Sequence, residues 1–297
     1  MNVNRATTIG LTAIVLWSTI VGLIRSVTGE LGAVGGAAMI YTVSSLILLL
    51  VIGFPKISTF PRKYLFCGGL LFVAYELCLS LSVGFAKSDT QAIEVSMVNY
   101  LWPSLTLLLA TITDGKKLRP LMLVGMLVCI TGVGKVIGGE HGLSAPAVIE
   151  NIASNPLSYG LAFFGAIIWS IYCVLTKKIA NGCNGITLFF MLTAAVLWLK
   201  FFMTNNLTMA FSPMVFINLI IVSCAMGLGY AAWNTGILHG NVTVLATSSY
   251  FTPVLSALFA ALLLGESLGY TFWEGALMVS VGSIICWWAT RKKSSNN

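Results

Sequence analysis

A carboxylate, Glu76, stands beside Tyr75 about midway along the apolar run of residues 64–85. An ionisable side chain in such a run is costly to keep from water and is usually retained where it binds or moves something. Two kinds of chemistry suit it: holding the amino group of a substrate, or carrying a proton. The structural alternative is a paired carboxylate, with Lys135 or Lys200 as its cation. Glu94 and Glu274 sit about a turn inside their helices, where reaching back to an interface explains them without any chemistry.

A second set of candidates is aromatic and amide-bearing. Ser96, Asn99, Tyr100, Pro103 and Thr106 follow helical spacing and form a polar stripe on one face of an apolar rod. Trp102 lies between them. Ser249, Tyr250, Pro253 and Ser256 repeat the pattern later in the chain. Trp17, Trp169, Tyr230, Trp233 and Asn234 complete the set. Aromatic walls suit an aromatic or cationic substrate through ring stacking or cation–π contact, each worth about 0.5–2 kcal/mol. Tryptophan and tyrosine also populate membrane-interface belts and helix contacts, so both readings stand for any single ring. Pro103 and Pro253 interrupt the helical hydrogen-bond ladder and are the candidate helix breaks, where a wall could bend.

Other chemistry lacks material. There are 2 histidines and 7 cysteines, without a C-x-x-C pair or a histidine spacing suited to zinc. No metal, cofactor or catalytic cluster is expected, and the chain reads as a non-enzyme. Gly132-Val133-Gly134 ends a membrane helix, so it is not a dinucleotide fingerprint. No ATP-binding loop is present, so any transport would draw on gradients.

The elements that must position these residues are membrane helices. Of the residues, 58% are hydrophobic and 8% charged, against about 25% charged in soluble domains. Ten apolar spans are expected, at 6–25, 32–53, 64–85, 90–113, 118–138, 157–177, 184–203, 214–238, 242–264 and 270–290, each long enough for about 30 Å of hydrocarbon. The net charge of +7 comes from basic residues scattered through short loops, which argues for topology rather than nucleic-acid binding. With both termini cytoplasmic, only Arg25, Lys87, Lys135 and Lys200 of the 16 Lys and Arg fall on the outside or its adjoining helix ends. An N-in, C-in protein of the cytoplasmic (inner) membrane is therefore expected, facing lipid bilayer and acting as a monomer.

The chain also repeats itself. At a shift of 150, Tyr100, Pro103, Gly115, Gly125 and Gly132 meet Tyr250, Pro253, Gly265, Gly275 and Gly282. Trp17-Ser18 meets Trp169-Ser170 at a shift of 152, with Arg25 opposite Lys177. Five helices per copy is an odd number, so the second copy must enter from the opposite side. The expected organisation is an inverted pair of repeats, 1–138 and 157–297, joined by a periplasmic connection at 139–156, with a site near the midplane. Gly125/Gly132 and Gly275/Gly282 each lie on one helix face and permit close packing.

Inverted five-helix repeats, a proline in each fourth helix, Gly265-Glu266 after the second of them and Gly-x6-Gly in each fifth helix together resemble the drug/metabolite transporter superfamily, with halves like EamA-type repeats. The first copy departs from this, having Asp114-Gly115-Lys116 where Gly-Glu is expected. WSTIVGLIRS near the start and VNYLWPSLTLLL in the fourth helix are most similar to the bacterial aromatic amino acid exporters. The resemblance implies an all-α secondary transporter that exports small amphipathic metabolites, foremost aromatic amino acids, by alternating access through a cavity lined by the residues above. Protons are a candidate coupling ion. Cationic drugs are the alternative substrates; sugar phosphates and nucleotide sugars fit less well, because no midplane Lys or Arg is evident.

Overall fold

The computed structural model describes residues 1–203 and 209–290, and among them all regular structure is helical. The basic cluster Arg291, Lys292 and Lys293 lies outside the described residues. Thirteen α-helices follow one another: α1 (Val3–Leu31), α2 (Ala33–Val51), α3 (Gly69–Gly84), α4 (Asp89–Asn99), α5 (Trp102–Thr113), α6 (Pro120–Ile137), α7 (Ala145–Ser154), α8 (Pro156–Ile179), α9 (Ile186–Phe202), α10 (Pro213–His239), α11 (Val242–Ser249), α12 (Thr252–Leu264) and α13 (Tyr270–Thr290). Among the described residues, 8 helical segments are long and apolar enough to cross a membrane, and Ile186–Phe202 and Thr252–Leu264 are shorter apolar helices.

Local chemistry explains the boundaries. Ser88, Asn155 and Ser212 accept backbone N–H bonds at the starts of α4, α8 and α10, satisfying donors that an isolated helix end leaves open. Proline occupies the first turn of α5, α6, α8, α10 and α12, where its missing N–H costs nothing. Asn181 and Gly182, with φ of 48° and 73°, make the tight reversal between α8 and α9.

The two proline segments are broken, and not at the prolines. In the first, Leu101 N–H bonds Val98 O at 3.2 Å and Leu105 N–H bonds Leu101 O at 3.1 Å. In the second, Phe251 N–H bonds Ser248 O at 3.2 Å and Leu255 N–H bonds Phe251 O at 3.1 Å. The helix tightens to three-residue bonds, then restarts with the proline in its first turn. The reason is steric: a proline ring displaces the carbonyl four residues earlier, so the fault appears just upstream of Pro103 and Pro253. The spans expected at 90–113 and 242–264 are thus each a pair of shorter helices.

The connection at 139–156, expected to be a loop, contains α7. Asn151 Nδ2 on α7 donates to Ile137 O at the end of α6, and Lys87 Nζ donates to Ser154 O. These bonds lay α7 across the end of the bundle.

Packing pairs the helices in a reciprocal way. α1 contacts α10 and α12, α8 contacts α3 and α5, α2 lies on α9, and α6 on α13. The last crossing is made backbone to backbone. A Cβ added to Gly132 would stand 2.6 Å from Gly275 O, and one added to Gly275 would stand 2.6 Å from Gly132 O. Gly125 and Gly282 oppose each other in the same way, with a Cβ on Gly282 2.6 Å from Gly125 O. Lys135 and Glu274 close this contact with an ion pair of 2.6 Å.

Candidate functional site

Glu76 is fully buried on α3, and its two oxygens are held by tyrosines from two other helices. Tyr41 Oη on α2 donates to Oε2 at 2.5 Å, and Tyr230 Oη on α10 donates to Oε1 at 2.6 Å. Ser80, one turn along α3, lies 2.9 Å from Tyr41 Oη. Neither Lys135 nor Lys200 is the partner that the sequence suggested. Lys135 pairs with Glu274, and Lys200 is exposed on α9. Two phenolic donors replace a cation here because they satisfy the carboxylate lone pairs without desolvating a second full charge. Glu94 likewise has a protein partner, accepting from Tyr159 Oη at 2.9 Å.

Glu76 borders a central cavity of about 80 Å³. Trp17 from α1, Tyr75 from α3, Asn99 and Tyr100 at the first helix break, Trp102 at the start of α5, Trp169 from α8, Tyr230 from α10 and Ser249 at the second break also line it. The rings are ordered. Tyr75 stacks on Trp169 with centroids 4.4 Å apart, and Trp169 stacks on Tyr172 at 4.8 Å. Trp102 meets Trp169 edge-on at 6.4 Å, and Trp17 meets Tyr230 edge-on at 5.1 Å. Among the described residues, Glu76 is the one charged member of this lining.

A wider cavity of about 450 Å³ adjoins it, lined by Trp233, Asn234, Tyr172, Lys177 and Asn184 among others. Trp17, Trp169 and Tyr230 border both cavities, so these three rings stand between them. The opposite end of the bundle is laced shut. Arg25 pairs with Asp89 at 2.7 Å and donates to Ala86 O at 2.8 Å, and Thr90 Oγ1 donates to Glu266 Oε2 at 2.7 Å. Asn155 Nδ2 adds a bond to Phe85 O.

The candidates thus divide. Trp17, Tyr75, Glu76, Asn99, Tyr100, Trp102, Trp169, Tyr230 and Ser249 gather at the central cavity, and Trp233 and Asn234 at the wide one. Tyr250 is not in either lining; it is buried against Trp287, with centroids 6.5 Å apart. Pro103 and Pro253 are buried behind the breaks. Residue types and spacing did not single out Tyr41, which holds Glu76, or Ser80, which contacts the Tyr41 hydroxyl, nor Met226 and Thr252 in the lining. The 150-residue shift carries a signal for the last two, because it places Met226 opposite Glu76 and Thr252 opposite Trp102.

Comparison with known proteins identifies the family. The EamA-like transporter family model matches residues 156–288. The chain is 55% identical over 293 residues to the aromatic amino acid exporter YddG of Salmonella typhimurium (strain 14028s), covering 99% of this chain and 100% of that one. It is 55% identical over 292 residues to the protein of the same name in Escherichia coli K12, covering 98% and 100%. A crystal structure with a TM-score of 0.67 and 23% identity covers 97% of this chain and 99% of its own, which extends the likeness of fold over the whole molecule. Matched from end to end at this identity, the chain belongs to the EamA-like transporter family.

Proposed function

We propose that this protein exports aromatic amino acids across the bacterial inner membrane as a secondary transporter. The observation that carries the reading is the central cavity, in which six aromatic rings surround a single carboxylate. Rings of the cavity wall stack on the substrate side chain, and the carboxylate faces its ammonium group. The full-length relatives named aromatic amino acid exporters support the same substrate class.

Ten spans in two inverted repeats, 1–138 and 157–297 joined through a periplasmic 139–156, with both termini cytoplasmic, fit this role. The reciprocal packing supports the arrangement. Under the repeat, α1 against α10 corresponds to α8 against α3, and α1 against α12 to α8 against α5. In that orientation the wide cavity opens to the cytoplasm, and the Arg25–Asp89 end faces the periplasm. Alternating access then consists of loosening that end while the Lys177 end closes, with Trp17, Trp169 and Tyr230 moving as substrate passes. The protein works as a monomer, without catalysis, and Glu76 is the group through which protons would couple.

Cationic drugs form the second reading, favoured by the absence of any cation from the central lining among the described residues. Proteoliposomes loaded with labelled phenylalanine or tryptophan, a quaternary amine or a sugar phosphate decide between them. Saturable exchange of the aromatic amino acids is expected. Exchange of the quaternary amine alone would replace the substrate assignment.

A further inference from the structure

The wide cavity is the electrostatic complement of the central one. Its lining contains Lys177 and, among the described residues, no aspartate or glutamate. Six of its lining residues are aromatic, and three of these, Trp17, Trp169 and Tyr230, are shared with the central cavity. Its volume of about 450 Å³ lies within the range of about 300–1,000 Å³ usual for small-molecule sites.

Lys177 is exposed at this wall and makes no ion pair or hydrogen bond among the described residues. The structural duties open to a lysine here fall to its neighbours. Lys178, the next residue, donates to Thr113 O at 3.4 Å at the end of α5. Asp114, the acid whose field reaches Lys177, is bonded to Lys116 at 2.8 Å. The repeat sharpens the contrast. Arg25, opposite Lys177 at the shift of 152, pairs with Asp89 at 2.7 Å. Position 89 falls opposite His239 at a shift of 150 and opposite Asn241 at 152, and neither is an acid. The second half of the chain thus has the cation of this pair without the anion, and has it at a cavity wall. A second donor stands in the same lining. Asn184 is exposed there, and its Oδ1 accepts from Ile186 N–H at 3.1 Å at the start of α9. That bond uses the amide oxygen and leaves Nδ2, which only donates.

We infer that the wide cavity is a second binding site, one for an aromatic carboxylate: Lys177 Nζ, with Asn184 Nδ2, binds the carboxylate, and rings of the wall stack on the aromatic group. The ligand chemistry stands on this cavity alone; its place in transport rests on the export reading above. There it is the entry site, which takes the α-carboxylate of an aromatic amino acid before the ammonium group reaches Glu76. The two charges of the zwitterion are read in two places, by a cation first and by an anion second. A molecule with a ring and a carboxylate but no amine therefore occupies the wide cavity without being suited to the central one.

A native thiol reports on this site. Cys183 lines the wide cavity, is half-buried and is in no disulfide. Full-length protein in phosphatidylcholine vesicles is labelled with a maleimide, and the extent at Cys183 is read by peptide mass mapping. Increasing 3-phenylpropionate or phenylalanine should slow labelling with a saturable midpoint, and phenethylamine, which lacks the carboxylate, should not. Lys177→Gln should raise the midpoint for both carboxylates roughly tenfold, and Lys177→Arg should keep it near wild type. The midpoint is compared rather than the rate, because a charge beside a thiol alters its intrinsic reactivity. Protection by phenethylamine equal to that by 3-phenylpropionate, or midpoints unmoved in Lys177→Gln, would overturn the inference. So would labelling that slows when phosphatidylglycerol is added to the vesicles and ignores 3-phenylpropionate, since Lys177 would then serve a lipid headgroup. If wild type exchanges no labelled phenylalanine yet 3-phenylpropionate protects Cys183 through Lys177, the export reading fails and the aromatic-carboxylate site stands.

Discussion

The hydroxyl of Tyr230 on α10 donates to Glu76 on α3 across 2.6 Å, joining helices from the two halves of the chain at the edge of the central cavity. Removing that donor leaves a buried carboxylate oxygen short of a partner, at a cost of about 1–3 kcal/mol or more for a charged group. Tyr230→Phe keeps the ring that meets Trp17 and Trp169, so its effect isolates the hydroxyl. Exchange of labelled tryptophan by this variant should fall about tenfold or more while the protein still inserts and folds; exchange at the wild-type rate would deprive the bond of a functional role.

Glu76→Gln keeps the shape and one acceptor oxygen but removes the charge and turns the other oxygen into an N–H donor. If Glu76 carries the coupled proton, export driven by an imposed pH gradient should disappear while exchange at equal pH on both sides persists. Fluorescence of a pH dye inside the vesicles measures this directly. Gradient dependence equal to wild type would remove Glu76 from coupling.

The Arg25–Asp89 pair, with Thr90–Glu266 beside it, closes one end of the bundle. Asp89→Asn weakens the pair without changing its shape. A cysteine placed at Trp102 should then react faster, by several-fold, with a membrane-impermeant thiol reagent added from the side that this end faces, the periplasm in the proposed topology. No change in rate would mean that these bonds do not hold the end shut.

Cysteine scanning separates the faces of the broken helices. In a background freed of reactive native thiols, cysteines at Asn99, Tyr100 and Trp102 should label and be protected by phenylalanine. A cysteine at Leu108, which packs against the Met122 and Cys286 cluster, should stay unreactive. Position 250 should resist protection even though it is the repeat counterpart of position 100, because Tyr250 packs on Trp287 instead of lining the cavity.

The α6–α13 crossing leaves no room for a side chain. Gly132→Val should destabilise the protein by about 1–3 kcal/mol and lower its melting midpoint in detergent. Gly160→Ala on α8 is the control, since a Cβ there meets nothing within 4 Å, and the midpoint should hold or rise.

The architecture was legible in the sequence to different degrees. The prolines exposed the broken helices, because a residue without an N–H interrupts the hydrogen-bond ladder of any apolar helix, but they misplaced each fault by two or three residues. A steric clash with an upstream carbonyl moves the break, and no residue type marks that spot. The glycine stripes were readable because close approach needs a missing Cβ, whichever helix is the partner. Glu76 stood out as a charge in lipid, whereas its partners did not. Lys135 and Lys200 attract attention by their charge, while Tyr41 sits in α2 among apolar and small residues and gives no sign that it faces another helix. Tyr250 shows the limit of the repeat: equal position in sequence fixes equal backbone, and a neighbour such as Trp287 still decides where a ring is used.

One contrast inside the cavity bears on the working cycle. The repeat sets Met226 opposite Glu76, a thioether against a carboxylate, and both border the same space. In a perfectly duplicated inverted pair the inward-open and outward-open forms would be related by a two-fold rotation and equal in free energy, and the resting protein would divide evenly between them. Under the proposed repeat, a charge carried by only one half would remove that degeneracy, giving the molecule a preferred resting side that binding of a cation or a proton at Glu76 would shift.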